Sequence, residues 1–211
     1  MEVLSGNYPQ FLFPRGLVKA HYYQKVPREF ERSLIHDPLD ANPGRMLGNP
    51  SLYTARLSEI LNWLHQSSDP RILQEKPCIT PLLLYEGELS FARILLHYEG
   101  NPQSARLIRR FIEMFELTLS RSCATIISPS FIPKSRMKEE QELIQMVTKA
   151  TAETSFIKFN FNRIGDFWSY AVKHECTLLV TTKNYQSDLS KILFHFYKGG
   201  MWYNQLSFYL A

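Results

Sequence analysis

The sequence predicts a helix-rich α+β protein, in which an N-terminal and central helical part packs with a small C-terminal β element. Two patterns predict this class. Apolar residues recur at helical spacing in segments that begin near residues 51, 101 and 135. After residue 154, apolar and polar residues alternate as they do in strands.

The length and composition fit a chain with a sizeable core. The protein has 211 residues, of which 45% are hydrophobic and 21% are charged. One large domain or two small ones would suit this length, and we predict a single globular domain over 1–211. Within it, 1–50 is an extended, loop-rich arm, 51–153 is the helical part, and 154–211 is a mixed strand and helix part.

The clearest helix covers residues 101–121. Asn101 is a good N-cap, and Pro102 fits the first helical position because its missing N–H costs nothing there. One side of the helix is an apolar stripe that faces a core. The opposite side carries a basic trio at i, i+3 and i+4 that fits an anion, namely Arg106, Arg109 and Arg110.

Further helices are predicted in the central part. Ser51 caps a helix that ends before Ser67, and a second helix carries Leu89 to Leu96 inward and ends at Gly100. A third runs from 135 to 153. The stretch 123–133 contains two prolines, so we expect an edge strand at most.

The N-terminal arm contains Pro9, Pro14 and Pro27. A short helix at 28–36 precedes a loop at 36–50, which is rich in proline, glycine, aspartate and asparagine.

The C-terminal part combines strand patterns with many aromatic residues. Residues 155–161 and 176–182 are predicted strands, with a helix carrying Phe167 and Trp168 between them. Gly199-Gly200 then separates two aromatic runs, which fits a hairpin or a helix, turn and strand. These aromatics exceed what one core face needs. Either both faces of the last strand are covered, or one face is a partner surface or an oligomer interface.

The cysteines indicate a reducing compartment. Cys78, Cys123 and Cys176 are an odd number and lie far apart, so neither a disulfide framework nor a structural zinc site is expected. The N-terminus lacks a secretory pattern, and the sequence has no long apolar run. We therefore predict a cytoplasmic or nuclear protein that has no membrane partner, no metal and no cofactor.

The positive charge is concentrated in the middle of the sequence. The formal net charge is +4, and residues 93–138 hold eight basic and three acidic residues. Such a patch fits nucleic acid, an acidic protein surface, or a merely solvated face, and the last is favoured.

Catalytic fingerprints are absent, so we predict that the protein is not an enzyme. The densest polar cluster is Asp166, His174, Glu175 and Cys176. A nucleophilic thiol needs a base within hydrogen-bond reach, and His174 and Cys176 share a face only if both lie in a strand. A buried structural cysteine is the favoured interpretation, and a thiol-dependent enzyme is an alternative.

Three stretches resemble, in their order, parts of the NSs accessory proteins of phleboviruses. They are RLSEIL at 56–61, ITPLLLYEGELSF at 79–91 and YAVKHECTLL at 170–179. The resemblance implies a small intracellular protein without enzymatic activity that disables host antiviral signalling by binding host factors. The chain lacks the acidic C-terminal tail of some members.

The leading hypothesis is a non-catalytic intracellular interaction protein that binds macromolecules through the basic helix and an aromatic C-terminal surface. Protein partners are expected, with self-association as a further option. The alternatives are RNA binding through the 93–138 patch, the accessory-protein function and the thiol-dependent enzyme. The candidate binding residues are Arg106, Arg109, Arg110, Arg121, Trp202, Tyr203 and Phe208.

Overall fold

Within the residues that the structure describes, eight strands form one mixed sheet that has helices on both faces, and strands alternate with helices from residue 93 onward. The structure is a computed structural model that describes residues 15–36, 49–66, 80–161, 163–198 and 206–211. The strand order is β1-β2-β3-β8-β7-β4-β5-β6. The predicted class, a helix-rich domain with a small C-terminal β element, is therefore wrong, and the fold is α/β.

The elements have the following bounds. The strands are β1 (Lys19–His21), β2 (Leu52–Arg56), β3 (Leu82–Tyr85), β4 (Arg93–His97), β5 (Cys123–Ser128), β6 (Glu153–Lys158), β7 (Leu178–Thr181) and β8 (Ser207–Leu210). The helices are α1 (Phe30–His36), α2 (Leu57–His65), α3 (Pro102–Leu119), α4 (Met137–Ala150), α5 (Ile164–Lys173) and α6 (Gln186–Lys198).

Five parallel strands from β4 to β8 form a doubly wound unit. In the sheet they stand in the order β6-β5-β4-β7-β8, so the first strand of the unit lies beside its second and its fourth. Helices α3 and α4 pack on one face, and α5 and α6 pack on the other. The winding direction therefore reverses between β4 and β7, which is the topological switch point of this fold class.

The N-terminal strands extend the sheet beyond β8. Strand β3 is antiparallel to β8, β2 is parallel to β3, and β1 is antiparallel to β2 at the edge. Helix α2 packs on the same face as α5 and α6, while α1 packs on the α3 face through Phe30 and Leu34. Both faces of the sheet are thus covered by apolar side chains.

Two segments that were predicted as helices are strands. The stretch after Ser51 forms β2 before α2 begins at Leu57, and the segment that ends at His97 is β4. Strand β4 pairs with β5 and β7 and buries four consecutive residues, from Ile94 to His97. A strand covered on both faces is apolar at every position, and a short apolar run does not distinguish strand from helix.

Strand β5 also differs from its prediction. Residues 123–133 were expected to form an edge strand at most, yet β5 lies between β4 and β6 in the sheet. Its two prolines, Pro129 and Pro133, follow the strand instead of interrupting it. The pairing groups of the strand are therefore intact on both sides.

Several predicted elements are confirmed. Helix α3 begins after Asn101, whose side-chain oxygen accepts a hydrogen bond from the Ser104 N–H at 2.8 Å. Helices α4 and α5 and strands β6 and β7 also lie in the predicted segments, although β6 starts two residues early. These helices are amphipathic, so the 3.6-residue period was sufficient to find them.

The last strand lies inside the sheet. Strand β8 stands between β3 and β7, with Tyr209 packed on the α3 face and Phe208 on the α5 face. Both side chains are fully buried. Both faces of the described strand are therefore covered, and neither face is left as a partner surface or an oligomer interface.

Some predictions lie outside the described residues. They concern most of the 1–50 arm, including the loop at 37–48, as well as Cys78, the Gly199-Gly200 turn, Trp202 and Tyr203. That 1–211 forms a single domain stays a prediction. None of the helices in the part of the chain that the structure covers is both long and apolar enough to cross a membrane.

Candidate functional site at the carboxyl edge of the parallel strands

The parallel strands β4 to β7 end in polar or aromatic residues that meet at one edge of the sheet. Open α/β sheets bind ligands in the crevice outside the carboxyl ends of the strands, at the topological switch point. Here that place is set by His97 at the end of β4 and Thr181 at the end of β7. The side chains at this edge define the candidate site.

His97 bridges the two strands of the switch point. Its Nδ1 lies 3.0 Å from the Oγ1 of Thr181, and its ring is only 4% exposed. The ring packs at 4.1 Å from the Phe167 ring and at 5.3 Å from the Tyr185 ring. Burial lowers the pKa of His97 to about 4, so the imidazole is neutral at physiological pH.

A cavity of about 70 Å³ opens beside this ring. It lies at the carboxyl ends of β4, β5 and β6 and reaches the start of α5. Aromatic side chains dominate its wall, with Phe161 and Phe167 packed edge to face at 4.8 Å. The lining residues are His97, Tyr98, Ile127, Ser128, Pro129, Phe159, Asn160, Phe161 and Phe167.

A buried polar cluster closes one side of the cavity. The Ser128 hydroxyl donates a hydrogen bond to the Glu140 carboxylate, and Lys158 Nζ lies 2.5 Å from Glu140 and 3.1 Å from Ser128. The serine and the glutamate are buried. These three groups satisfy one another, so the cluster ties the ends of β5 and β6 to α4.

The loop between β4 and α3 is held by an acidic residue. Glu99 accepts hydrogen bonds from Thr182 Oγ1 at 2.7 Å and from Asn101 Nδ2 at 2.8 Å. The Glu99 backbone N–H in turn donates to Ser104 Oγ at 3.0 Å. The turn therefore joins the end of β4, the start of α3 and the end of β7.

Gly100 is required in this turn. Its φ is +72°, and a Cβ built there would lie 2.7 Å from Cγ2 of Ile132. We expect Gly100→Ala to lower the free energy of unfolding by roughly 2 kcal/mol or more, because the left-handed backbone costs about 1–2 kcal/mol for alanine and the clash adds to it. Chemical denaturation measures the change.

Gly87 provides the matched control for this substitution. Its φ is +57°, but a Cβ there would meet nothing within 4 Å. Gly87→Ala should therefore show the backbone cost alone and should destabilise the protein less than Gly100→Ala. Equal losses for the two variants would contradict the close packing of Gly100 against Ile132.

The residues predicted to bind a partner are not brought together at this edge. Arg106, Arg110 and Arg121 are exposed, while Arg109 is half-buried and lies 3.8 Å from Glu142. Phe208 is fully buried and stacks on the Trp168 ring at 5.8 Å. The prediction of an aromatic C-terminal contact surface that includes Phe208 is therefore wrong. That the individual arginines bind a partner is untested.

The prediction of a catalytic thiol at Cys176 is also wrong. His174 follows α5 and stacks on Tyr170 at 4.1 Å, and Cys176 precedes β7, so the two do not share a strand face. Burial raises the pKa of the Cys176 thiol to about 11, with a smaller opposing effect from Arg93. A nucleophilic cysteine needs the opposite shift.

This environment predicts slow alkylation of Cys176. Its side chain is 4% exposed, whereas Cys123 is exposed. In a Cys78→Ser background, we expect iodoacetamide to label Cys123 at least about tenfold faster than Cys176, since burial and a raised pKa both slow the reaction of Cys176. Peptide mass spectrometry over time measures both rates. Equal rates would contradict the buried, protonated thiol.

The residues that build the carboxyl edge were not predicted as site residues. His97, Glu99, Thr181 and Thr182 were either placed in a helix or given no role, because each stands alone in the sequence. A signal was nevertheless present. The apolar runs RILLH and LLVT each end in polar residues, as buried parallel strands do at a ligand-binding edge.

Comparison with known proteins gives partial structural similarity only. No protein-family model matches the sequence, and the curated proteins contain no match to it. The chain is similar to a universal stress protein in complex with cAMP, at 13% identity and a TM-score of 0.36, over 44% of this chain and 74% of that chain. It is also similar to a universal stress protein family member from Burkholderia pseudomallei, at 10% identity and a TM-score of 0.31, over 43% and 80%.

These observations overturn the leading functional hypothesis and its alternatives. The chain is an α/β protein with a doubly wound sheet, and Phe208 is buried inside that sheet. Macromolecular binding through a basic helix and an aromatic C-terminal surface is therefore wrong. RNA binding through the 93–138 patch and the viral accessory function were proposed for a helix-rich protein, and the observed fold does not support them. The thiol-dependent enzyme is wrong because Cys176 is buried and protonated.

Proposed function

We propose that the protein binds a small planar ligand at the carboxyl edge of its parallel strands, with a single heteroaromatic ring entering the cavity beside His97. One observation carries the proposal. A buried, neutral histidine at the topological switch point of a doubly wound sheet forms part of the wall of a cavity at the ends of β4, β5 and β6. Ligands of such sheets bind at this place.

The chemistry of the wall favours a planar ring. Phe161 and Phe167 offer aromatic surface, which pairs with other rings in edge-to-face or offset geometry. Nδ1 of His97 is engaged with Thr181, while Nε2 has no partner among the described contacts. Nε2 is therefore available to a ring nitrogen or an amide of the ligand, as donor or acceptor according to the tautomer.

The volume of the cavity limits the size of the group that can enter it. Drug-sized ligands occupy pockets of about 300–1,000 Å³, and this cavity measures about 70 Å³. Because a cavity that holds benzene measures about 150 Å³, a single ring enters this space only in part, and a fused ring system or a dinucleotide fits it less well. Any remaining part of the ligand extends outward from the edge of the sheet.

The proposal is of binding without catalysis, in the cytoplasm. Cys123 and Cys176 are free thiols, which is typical of a reducing compartment. In the described part of the chain, no group of three or more histidine, cysteine, aspartate or glutamate side chains could hold a metal ion. Self-association stays a prediction, and the proposed site does not require it.

Calorimetric titration tests the proposal with three single-ring probes, namely nicotinamide, nicotinate and pyridylmethylamine. At least one should bind saturably, and His97→Gln should weaken it by about tenfold or more because the ring contacts and the free ring nitrogen are lost. His174→Gln is the matched control, since His174 is exposed at the opposite edge. Absence of binding by all three probes, or equal weakening by both variants, would refute the proposal.

A further inference from the structure

A carboxylate stands at the place where doubly wound proteins hold the phosphates of their ligands. In that fold class, the turn after the first strand of the parallel unit and the N-terminus of the next helix receive the phosphate. The corresponding elements here are β4 and α3, and the turn between them contains Glu99. The charge of this side chain favours a different ligand.

The N-terminus of α3 offers few donors for an anion. Pro102 has no N–H, and the Ser104 N–H already donates to Asn101 Oδ1 at 2.8 Å. The Ala105 N–H donates to the Asn101 carbonyl at 3.2 Å. The positive end of the helix is thus capped from within, and the Glu99 carboxylate lies beside it.

The Glu99 carboxylate is fixed by hydrogen bonds from neutral groups. Its two carboxylate oxygens accept hydrogen bonds from Thr182 and Asn101, which are neutral donors. Among the residues that the structure describes, no lysine or arginine forms an ion pair with it. A fixed, partly buried carboxylate without a basic partner attracts a cation more strongly than a freely solvated one does.

Glu99 directly follows two residues that line the cavity, His97 and Tyr98. Thr181 contacts His97, and the following residue, Thr182, contacts Glu99, so consecutive side chains of one strand end hold the two groups. Tyr185 supports the same placement, because its ring packs 5.3 Å from the His97 ring. Burial raises the pKa of Tyr185, and the charge of Glu99 contributes to that rise.

We propose that Glu99 makes this site select a ring that carries a protonated amine and reject one that carries a carboxylate or a phosphate. The inference rests on the proposed function, because it requires a ligand ring in the cavity. The ring enters beside His97, and the ammonium group meets the Glu99 carboxylate at the mouth. An anionic substituent at the same position meets a like charge and finds few donors at the α3 terminus, because Pro102 has no N–H and Asn101 caps the Ser104 N–H.

Three probes with one ring and different charges test the selection. Pyridylmethylamine carries an ammonium group, nicotinamide is neutral and nicotinate carries a carboxylate. We expect the amine to bind at least about tenfold more tightly than the carboxylate. Glu99→Gln keeps an acceptor for Thr182 and should bring that ratio close to one, with little change for nicotinamide. Glu175→Gln removes an exposed carboxylate at the opposite edge and should leave the ratio unchanged.

The outcomes separate this inference from the function on which it rests. If nicotinamide binds in a His97-dependent manner but the wild-type ratio is near one, or Glu99→Gln leaves the ratio unchanged, the charge selection is wrong and the ring site stands. If none of the three probes binds, the proposed function itself fails. Inorganic phosphate added as a competitor should not displace the amine, and displacement by phosphate would also contradict the inference.

Discussion

Replacing Phe208 with alanine is expected to lower the free energy of unfolding by about 3–5 kcal/mol, the range for truncating a fully buried phenylalanine. Phe208 lies in β8 between two neighbouring strands and is fully buried. Its ring stacks on Trp168 with an angle of 12° between the planes. No smaller side chain at this position fills the space between β8 and α5. Chemical denaturation measures the loss.

Phe131 is the matched control for this substitution because its side chain is 91% exposed. Phe131→Ala should change the stability by no more than about 0.5 kcal/mol, as exposed substitutions usually do. A loss at Phe208 as small as the loss at Phe131 would mean that β8 is a surface strand. That result would restore the C-terminal contact surface that the sequence suggested.

The second large effect is a pH dependence of stability that originates at His97. Burial lowers its pKa from 6.5 to about 4 in the folded chain. Above pH 6.5 the imidazole is neutral in both states, so the pH has no effect through this group. As the pH falls from 6.5 towards 4, the unfolded chain binds a proton that the folded chain does not. The folded state therefore loses up to about 3 kcal/mol over this window.

Unfolding curves of the wild type and His97→Gln between pH 7 and pH 4 measure this contribution. The variant lacks the titrating ring, so the stability difference between the two proteins should change by about 3 kcal/mol across the window. Tyr185, the nearest titratable group on the ring, stays neutral throughout because its pKa is raised. Parallel curves for the wild type and His97→Gln would show that His97 titrates alike in both states.

The helices that the sequence predicted correctly are those with one apolar side. Helix α3 has a proline at its first position and an asparagine cap, and its apolar stripe faces the sheet. Such a helix is recognisable because its period and its start signal agree. Helices α4 and α5 are amphipathic in the same way, and strand β6 was found by its alternating pattern. Strand β7 was also predicted, although it is buried on both faces.

The prediction of the fold class was wrong because it did not recognise strands that are buried on both faces. Strand β4 is apolar at consecutive positions, because α3 covers one face and α5 covers the other. Its residues fit a helical stripe equally well, and only the pairing with β5 and β7 decides the conformation. Once β2 and β4 were assigned as helices, the strand and helix alternation of a doubly wound sheet was lost.

The candidate site could not be predicted because its parts lie far apart in the sequence. His97 and Thr181 are separated by 84 residues, and Glu99 and Thr182 by 83. The strand order brings them together only after three crossovers, through α3 and α4 on one face of the sheet and through α5 on the other. A lone histidine in an apolar context is more often a core residue than a ligand. Only the three-dimensional arrangement shows that this one borders a cavity.

Mapping of amide chemical shifts shows directly whether a ligand binds at the carboxyl edge of the parallel strands. Nitrogen-edited NMR spectra of the full chain are recorded during titration with pyridylmethylamine. We expect the amide chemical shifts of five residues at this edge to change, namely His97, Glu99, Phe161, Thr181 and Tyr185. The chemical shifts at the opposite edge, such as those of Arg93 and Glu175, should not change. Shifts that cluster instead in the groove between α3 and α4, around Glu113 and Met146, would contradict binding at the carboxyl edge.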